Sequence, residues 1–176
     1  MNQASHYVDM IQWLIGPVES VCAKTATLAR RIESEDTGIA ILRFRNGALG
    51  TIEVTLLSYP RNMEGSVTVL GEKGTVKIGG TALNRVDHWE FAEYDDDDRE
   101  AEILRGAPNP LSVYGGGHRP FYDNVVRVLK GEAVPGTDGR EGRKSLELIL
   151  GIYESARTGR EVALPLRPFS SGHRVA

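Results

Sequence analysis

Residues 37–57 read Thr37-Gly38-Ile39-Ala40-Ile41-Leu42-Arg43-Phe44-Arg45-Asn46-Gly47-Ala48-Leu49-Gly50-Thr51-Ile52-Glu53-Val54-Thr55-Leu56-Leu57, and the fold turns on them. Aliphatic and β-branched residues fill two runs, Thr37 to Arg45 and Leu49 to Leu57, with a period close to two, as strands require. Between them stands Asn46-Gly47, a pair that accepts positive φ at both positions and closes two-residue hairpins. The strands are therefore expected to pair antiparallel, because a parallel pair needs a crossover of a dozen residues or more.

The pattern extends in both directions. Strand-like segments run from Ser20 to Leu28, Ser66 to Leu70, Thr75 to Ile78 and Val86 to Glu93, with a second turn at Gly71-Glu72-Lys73-Gly74. Upstream, Met1 to Ile15 reads as a helix stopped by Gly16-Pro17; Tyr7, Val8, Met10, Ile11, Trp13, Leu14 and Ile15 make it apolar around most of its circumference, so it is expected to be buried. Downstream, Tyr94 to Gly117 reads as a long loop carrying the acidic run Asp95 to Asp98. Amphipathic helices follow, from Arg119 to Lys130 and from Gly139 to Thr158, and Glu161 to Leu164 offers an edge strand ended by Pro165. The fold class is α+β: a large, mainly antiparallel open β-sheet with helices packed on one face. It is expected as a single domain over 1–166, with a loosely ordered tail over 167–176.

Composition narrows the function classes. The chain has 176 residues, 40% of them hydrophobic, a formal net charge of -3 and one cysteine. That is enough chain to build a core without a disulfide or a metal, and it gives no global electrostatic case for nucleic acid or an anionic membrane. The histidines His6, His88, His118 and His173 lie too far apart for local metal-ligand spacing, so no metal is expected. No apolar run approaches the roughly 20 residues that cross a bilayer, and the first residues lack a signal peptide's features, so the expected compartment is the cytoplasm. A Gly-x-Gly-x-x-Gly turn after a strand, the mark of a Rossmann domain, is absent, so no bound cofactor is expected in this chain.

Chemistry concentrates on the first helix. Gln3, His6, Asp9 and Gln12 recur every third residue beside Asn2 and Ser5, and read as a polar stripe along one flank. Such a stripe either bonds to its own domain, lines a ligand cavity or faces solvent. In the second case His6 is the group able to take a proton near neutral pH, with Asn2 one turn before it holding a ligand hydroxyl.

The segment Asn2-Gln3-Ala4-Ser5-His6-Tyr7-Val8-Asp9, followed by Trp13-Leu14-Ile15-Gly16, resembles the first helix of the second domain in the Gfo/Idh/MocA family of nicotinamide-dependent sugar oxidoreductases. Phe44 to Thr51, Leu70 to Thr75, Gly117-His118 with Phe121-Tyr122, Asp138 to Gly142 and Tyr153 to Leu166 resemble later signatures of the family in the same order. The resemblance implies a catalytic role for His6, which in the family works with a lysine of the nucleotide-binding domain while hydride passes from a sugar carbinol to NAD(P). Asn2 stands where the family has an aspartate, which implies binding rather than ionisation. Asn-Gln-Ala before Ser-His is most similar to the branch that oxidises the 3-hydroxyl of UDP-N-acetylglucosamine or its uronic acid. The nucleotide-binding domain and its lysine are not in this chain; Lys73 sits in a turn and is not that lysine. The isolated chain is expected to be inactive.

Further substrate contacts are expected from Gln3 on the helix, from Arg61 and Asn62 after a strand, and from Tyr114 in the glycine-rich loop. The Arg61 guanidinium suits a phosphate or carboxylate. Cys22 reads as a small packed hydrophobe. The open sheet face is expected to pair copies of the chain into a homo-oligomer, as the resemblance also implies. The alternative is a noncatalytic assembly module that uses that face alone.

Overall fold

The computed structural model describes residues 4–60, 65–80, 83–93, 103 and 118–166. In chain order the elements are α1 (Ser5–Ile15), β1 (Val18–Ala26), β2 (Thr37–Phe44), β3 (Leu49–Thr55), β4 (Val67–Gly71), β5 (Gly74–Gly79), β6 (Arg85–Phe91), α2 (His118–Leu129), α3 (Gly139–Thr158) and β7 (Val162–Ala163). They divide between two compact units, one formed by Met1–Ser58 with Thr137–Ala176 and the other by Tyr59–Gly136. The α+β class and the antiparallel pairing hold throughout.

The first unit is a four-stranded sheet in the order β3-β2-β1-β7, with α1 and α3 on one face. Alternation decides which side chains turn inward: Val21 and Ala23 on β1, Ala40, Leu42 and Phe44 on β2, and Ile52 on β3 meet Val8 of α1 and Leu148 and Ile152 of α3. Helix α3 starts and stops where its chemistry says. Asp138 accepts the N–H groups of Arg140 and Glu141, and Gly159 takes the left-handed conformation that closes the last turn. The helix lies close on β1 at Gly151, where a Cβ would stand 3.1 Å from Leu164 Cδ2 and 3.3 Å from Val21 Cγ1. β7 pairs with the outer edge of β1, so the expected edge strand is at the edge.

The second unit carries a three-stranded antiparallel sheet, β4-β5-β6, together with α2, in which no residue is fully buried. The described strands thus form two sheets. The chain leaves the first after β3, where Leu57 N–H turns back onto Thr55 Oγ1 and Leu56 N–H onto the Asp36 carbonyl.

Three local expectations are corrected. The β2–β3 link is a three-residue loop, Arg45-Asn46-Gly47: Gly47 N–H donates to the Phe44 carbonyl, and Gly47 alone takes a positive φ, of 91°. A tight turn followed by a left-handed glycine preserves the strands' twist as well as a two-residue turn does. Cys22 is exposed, because the alternation that buries Val21 and Ala23 turns it to the open face. Helix α1 is buried on one stripe only: Val8 is inaccessible, Ile11 and Ile15 pack against the core, and Trp13 is 81% exposed. An 11-residue helix lying on a sheet has one face to bury, whatever its composition.

Candidate active site

Helix α1 positions the one candidate catalytic group that the described residues contain. Ile11 reaches toward Gly50 and Phe44 of the hairpin beneath, and Val8 fills the core, so the opposite side of the helix faces out. His6 lies on that outer side and is exposed. The polar residues at every third position do not share one flank. Three residues advance a helix by about 300°, so each successive member steps back by about 60°. Accordingly Asp9 accepts a hydrogen bond from the Ser145 hydroxyl of α3, while Gln12 Nε2 is buried without a partner among the described residues. The stripe splits: Asp9 ties helix to helix, and His6 is left free for chemistry.

The far end of α1 is fixed as well. Gly16 N–H closes on the Gln12 carbonyl at 2.9 Å, and Asn46 Nδ2 donates to the Ile15 carbonyl at 2.9 Å, joining the helix to the hairpin tip.

The expected binding residues Asn2, Gln3, Arg61, Asn62 and Tyr114 lie outside the described residues. Lys73 is 68% exposed in the β4–β5 turn and pairs with Glu93 at 2.6 Å. That pair, with Trp89 and Phe91, lines an open cavity of about 280 Å³ on the second unit. Trp89 and Phe91 meet edge to face, their ring centroids 4.9 Å apart. Among the described residues there is no cluster of three or more His, Cys, Asp or Glu side chains able to hold a metal, and no helix is long and apolar enough to cross a membrane.

Two polar contacts were not legible from spacing. The Asp36 carboxylate accepts the N–H groups of Leu28, Ala29 and Arg30 and the Thr37 hydroxyl, and closes the β1–β2 loop. The bonds from Ala29 and Leu28, foremost, hold its pKa down at about 2. The Tyr153 hydroxyl donates to Glu35 at 2.9 Å, and burial, then that bond, pushes its pKa up to about 12. Both groups therefore keep one protonation state near neutral pH.

Known proteins share this fold. A model of the Gfo/Idh/MocA oxidoreductase family, C-terminal α/β domain, matches residues 1–164. The chain belongs to that family. Its likeness to the WlbA dehydrogenase of Chromobacterium violaceum, solved with NADH and UDP-GlcNAcA, is 56% identity over 96% of this chain and 46% of that one, with a TM-score of 0.84. For the WlbA dehydrogenase of Bordetella pertussis, solved with the same two ligands, the values are 55%, 95%, 45% and 0.79. A D-apiose dehydrogenase of Paraburkholderia graminis is 26% identical over 172 residues, 90% of this chain and 43% of the relative. The chain thus spans less than half the length of these relatives. Among the described residues of this Gfo/Idh/MocA C-terminal domain every ladder is antiparallel, and no strand feeds a helix through a glycine turn.

Proposed function

We propose that this chain is the substrate-binding half of an NAD(P)-dependent dehydrogenase that oxidises the 3-hydroxyl of a UDP-linked N-acetyl amino sugar or its uronic acid. The observation that carries this reading is the 55–56% identity, over nearly the whole chain, to dehydrogenases whose structures hold NADH and UDP-GlcNAcA. Residues 1–166 act as one domain in this reading. The exposed His6 accepts the hydroxyl proton in concert with a lysine from a nucleotide-binding domain that also holds the coenzyme. Asn2 and Gln3 orient the sugar, and Arg61, Asn62 and Tyr114 contact the diphosphate and sugar. Hydride transfer requires both halves, so the chain alone binds without turning over.

Copies associate through the open face of the first sheet, where Ile39 and Ile41 on β2 and Leu49 on β3 are 51%, 57% and 70% exposed. Three large aliphatic side chains on the uncovered face of a sheet favour a covering partner. The assembly works in the cytoplasm. The same exposure favours the second reading, an assembly module without a sugar pocket. Titration calorimetry with UDP-N-acetylglucosamine and its uronic acid separates the two. Heat that disappears in His6→Ala and Asn2→Ala is expected; no heat at millimolar ligand would leave only the assembly reading.

A further inference from the structure

At the hairpin tip the Asn46 side chain reaches the first helix itself, beside the Arg45 N–H that donates to the Pro17 carbonyl just past the helix end at 3.0 Å. Asn46 Nδ2 donates to the Ile15 carbonyl in the last turn of α1, and Asn46 Oδ1 accepts the Ala48 N–H at 3.0 Å. The residue after it is Gly47, at φ 91°, with nothing within 4 Å of where a Cβ would stand. Asn46 and Gly47 are both exposed. Among the asparagines of the chain, Asn46 alone precedes a glycine.

We propose that Asn46-Gly47 is a site of spontaneous backbone-assisted deamidation, and that conversion unlatches the helix carrying His6. The Gly47 backbone nitrogen attacks Asn46 Cγ. An N–Cγ bond forms, the Cγ–Nδ2 bond breaks, and ammonia departs with the proton that Gly47 N–H gives up. Solvent water then opens the cyclic imide. Attack at Cγ yields aspartate, attack at the backbone carbonyl yields isoaspartate, and no electrons change hands. Glycine favours the first step because it has no side chain to obstruct the approach.

In the closed hairpin the reacting atoms are occupied, Gly47 N–H by the Phe44 carbonyl and Asn46 Nδ2 by the Ile15 carbonyl. The chemistry therefore proceeds during local opening of the tip. The product cannot close again in the same way. A carboxylate has no N–H to offer the Ile15 carbonyl, and its charge falls beside the carbonyl end of α1, the negative end of the helix dipole. Isoaspartate also adds a methylene to the main chain of the loop. Conversion is thus a one-way release of the C-terminal end of α1, independent of whether the sugar reading holds.

The purified chain, aged in mildly alkaline buffer at physiological temperature, tests this. Peptide mass spectrometry and isoaspartyl methylation are expected to find product at Asn46 well before Asn84 or Asn124. Hydrogen exchange of α1 amides is expected to quicken roughly tenfold in the aged chain and in Asn46→Asp, with β2 unchanged. Asn46→Gln, whose longer side chain cyclises slowly, should not convert. Conversion at Asn46 no faster than at Asn84 and Asn124 would overturn the proposal, and so would unchanged α1 exchange in converted material. If Asn46→Asp does not fold, exchange measured on aged wild-type chain decides the matter.

Discussion

Ser155 Oγ accepts the backbone N–H of Ala23 at 2.9 Å and donates to the Arg160 carbonyl at 2.7 Å, so one buried hydroxyl joins α3 to β1 and to the segment leading into β7. Ser155→Ala leaves a buried donor and an acceptor without that partner. The expected loss is about 1–3 kcal/mol, measured by urea unfolding. A loss within error would mean that water replaces the hydroxyl.

Asp36 links stability to acid. Its folded pKa, about 2, lies below the ordinary 3.8, so the unfolded chain binds its proton first as the pH falls. The stabilising contribution is complete above 3.8 and is lost as pH drops through 2. Urea midpoints measured across that interval should decline in the wild type. In Asp36→Asn, which cannot ionise, the decline should be shallower; an identical slope would assign the acid sensitivity elsewhere.

Two glycines of α3 should respond in opposite directions to the same substitution. At Gly142 a Cβ meets nothing within 4 Å, so Gly142→Ala gains helix propensity, about 0.5–1 kcal/mol. At Gly151 the new methyl meets Val21 and Leu164, and steric cost offsets the gain. Gly151→Ala is expected to destabilise by up to about 1 kcal/mol and Gly151→Val by more. Thermal melts of the three variants provide the comparison.

Charge on the open face should separate association from folding. Ile39→Glu and Ile41→Glu place a carboxylate on the proposed contact, and sedimentation equilibrium should find monomers where the wild type associates. Circular dichroism should be unchanged, since neither side chain belongs to the core. Thiol labelling of the exposed Cys22, which pairs with Ile41 across β1 and β2, should be slowed in the wild type by association and restored in both variants. Equal labelling in all three would remove this face from the assembly.

Much of this architecture was readable in the residues. Period two marks β2 and β3 because half their side chains meet helices and half do not, and α3 runs from Gly139 to Thr158, as its apolar stripe and closing glycine indicate. Which ladder a strand joins was not readable: β3 and β4 look alike locally, and the division between sheets depends on where the chain turns after Thr55. The burial of α1 was overestimated because composition does not say how many partners a helix has, and Trp13 has few. At the site, the residue types pointed to His6, but regular spacing concealed that Asp9 and Gln12 wind away from it. The Asp36 contacts were invisible in sequence because a carboxylate that closes a loop resembles any acidic surface residue.

The four-stranded sheet draws its covering from stretches far apart in sequence: β1, β2 and β3 are complete by Thr55, whereas α3 begins at Gly139 and β7 ends at Ala163. During synthesis those strands therefore emerge long before the helix that shields them, with Val21, Leu42 and Phe44 on the waiting side. Contacts this distant in sequence make for slow maturation and a nascent chain open to mispairing. A ribosome stalled shortly before Gly139 should display a meander that binds chaperones; one stalled well beyond Ala163 should not.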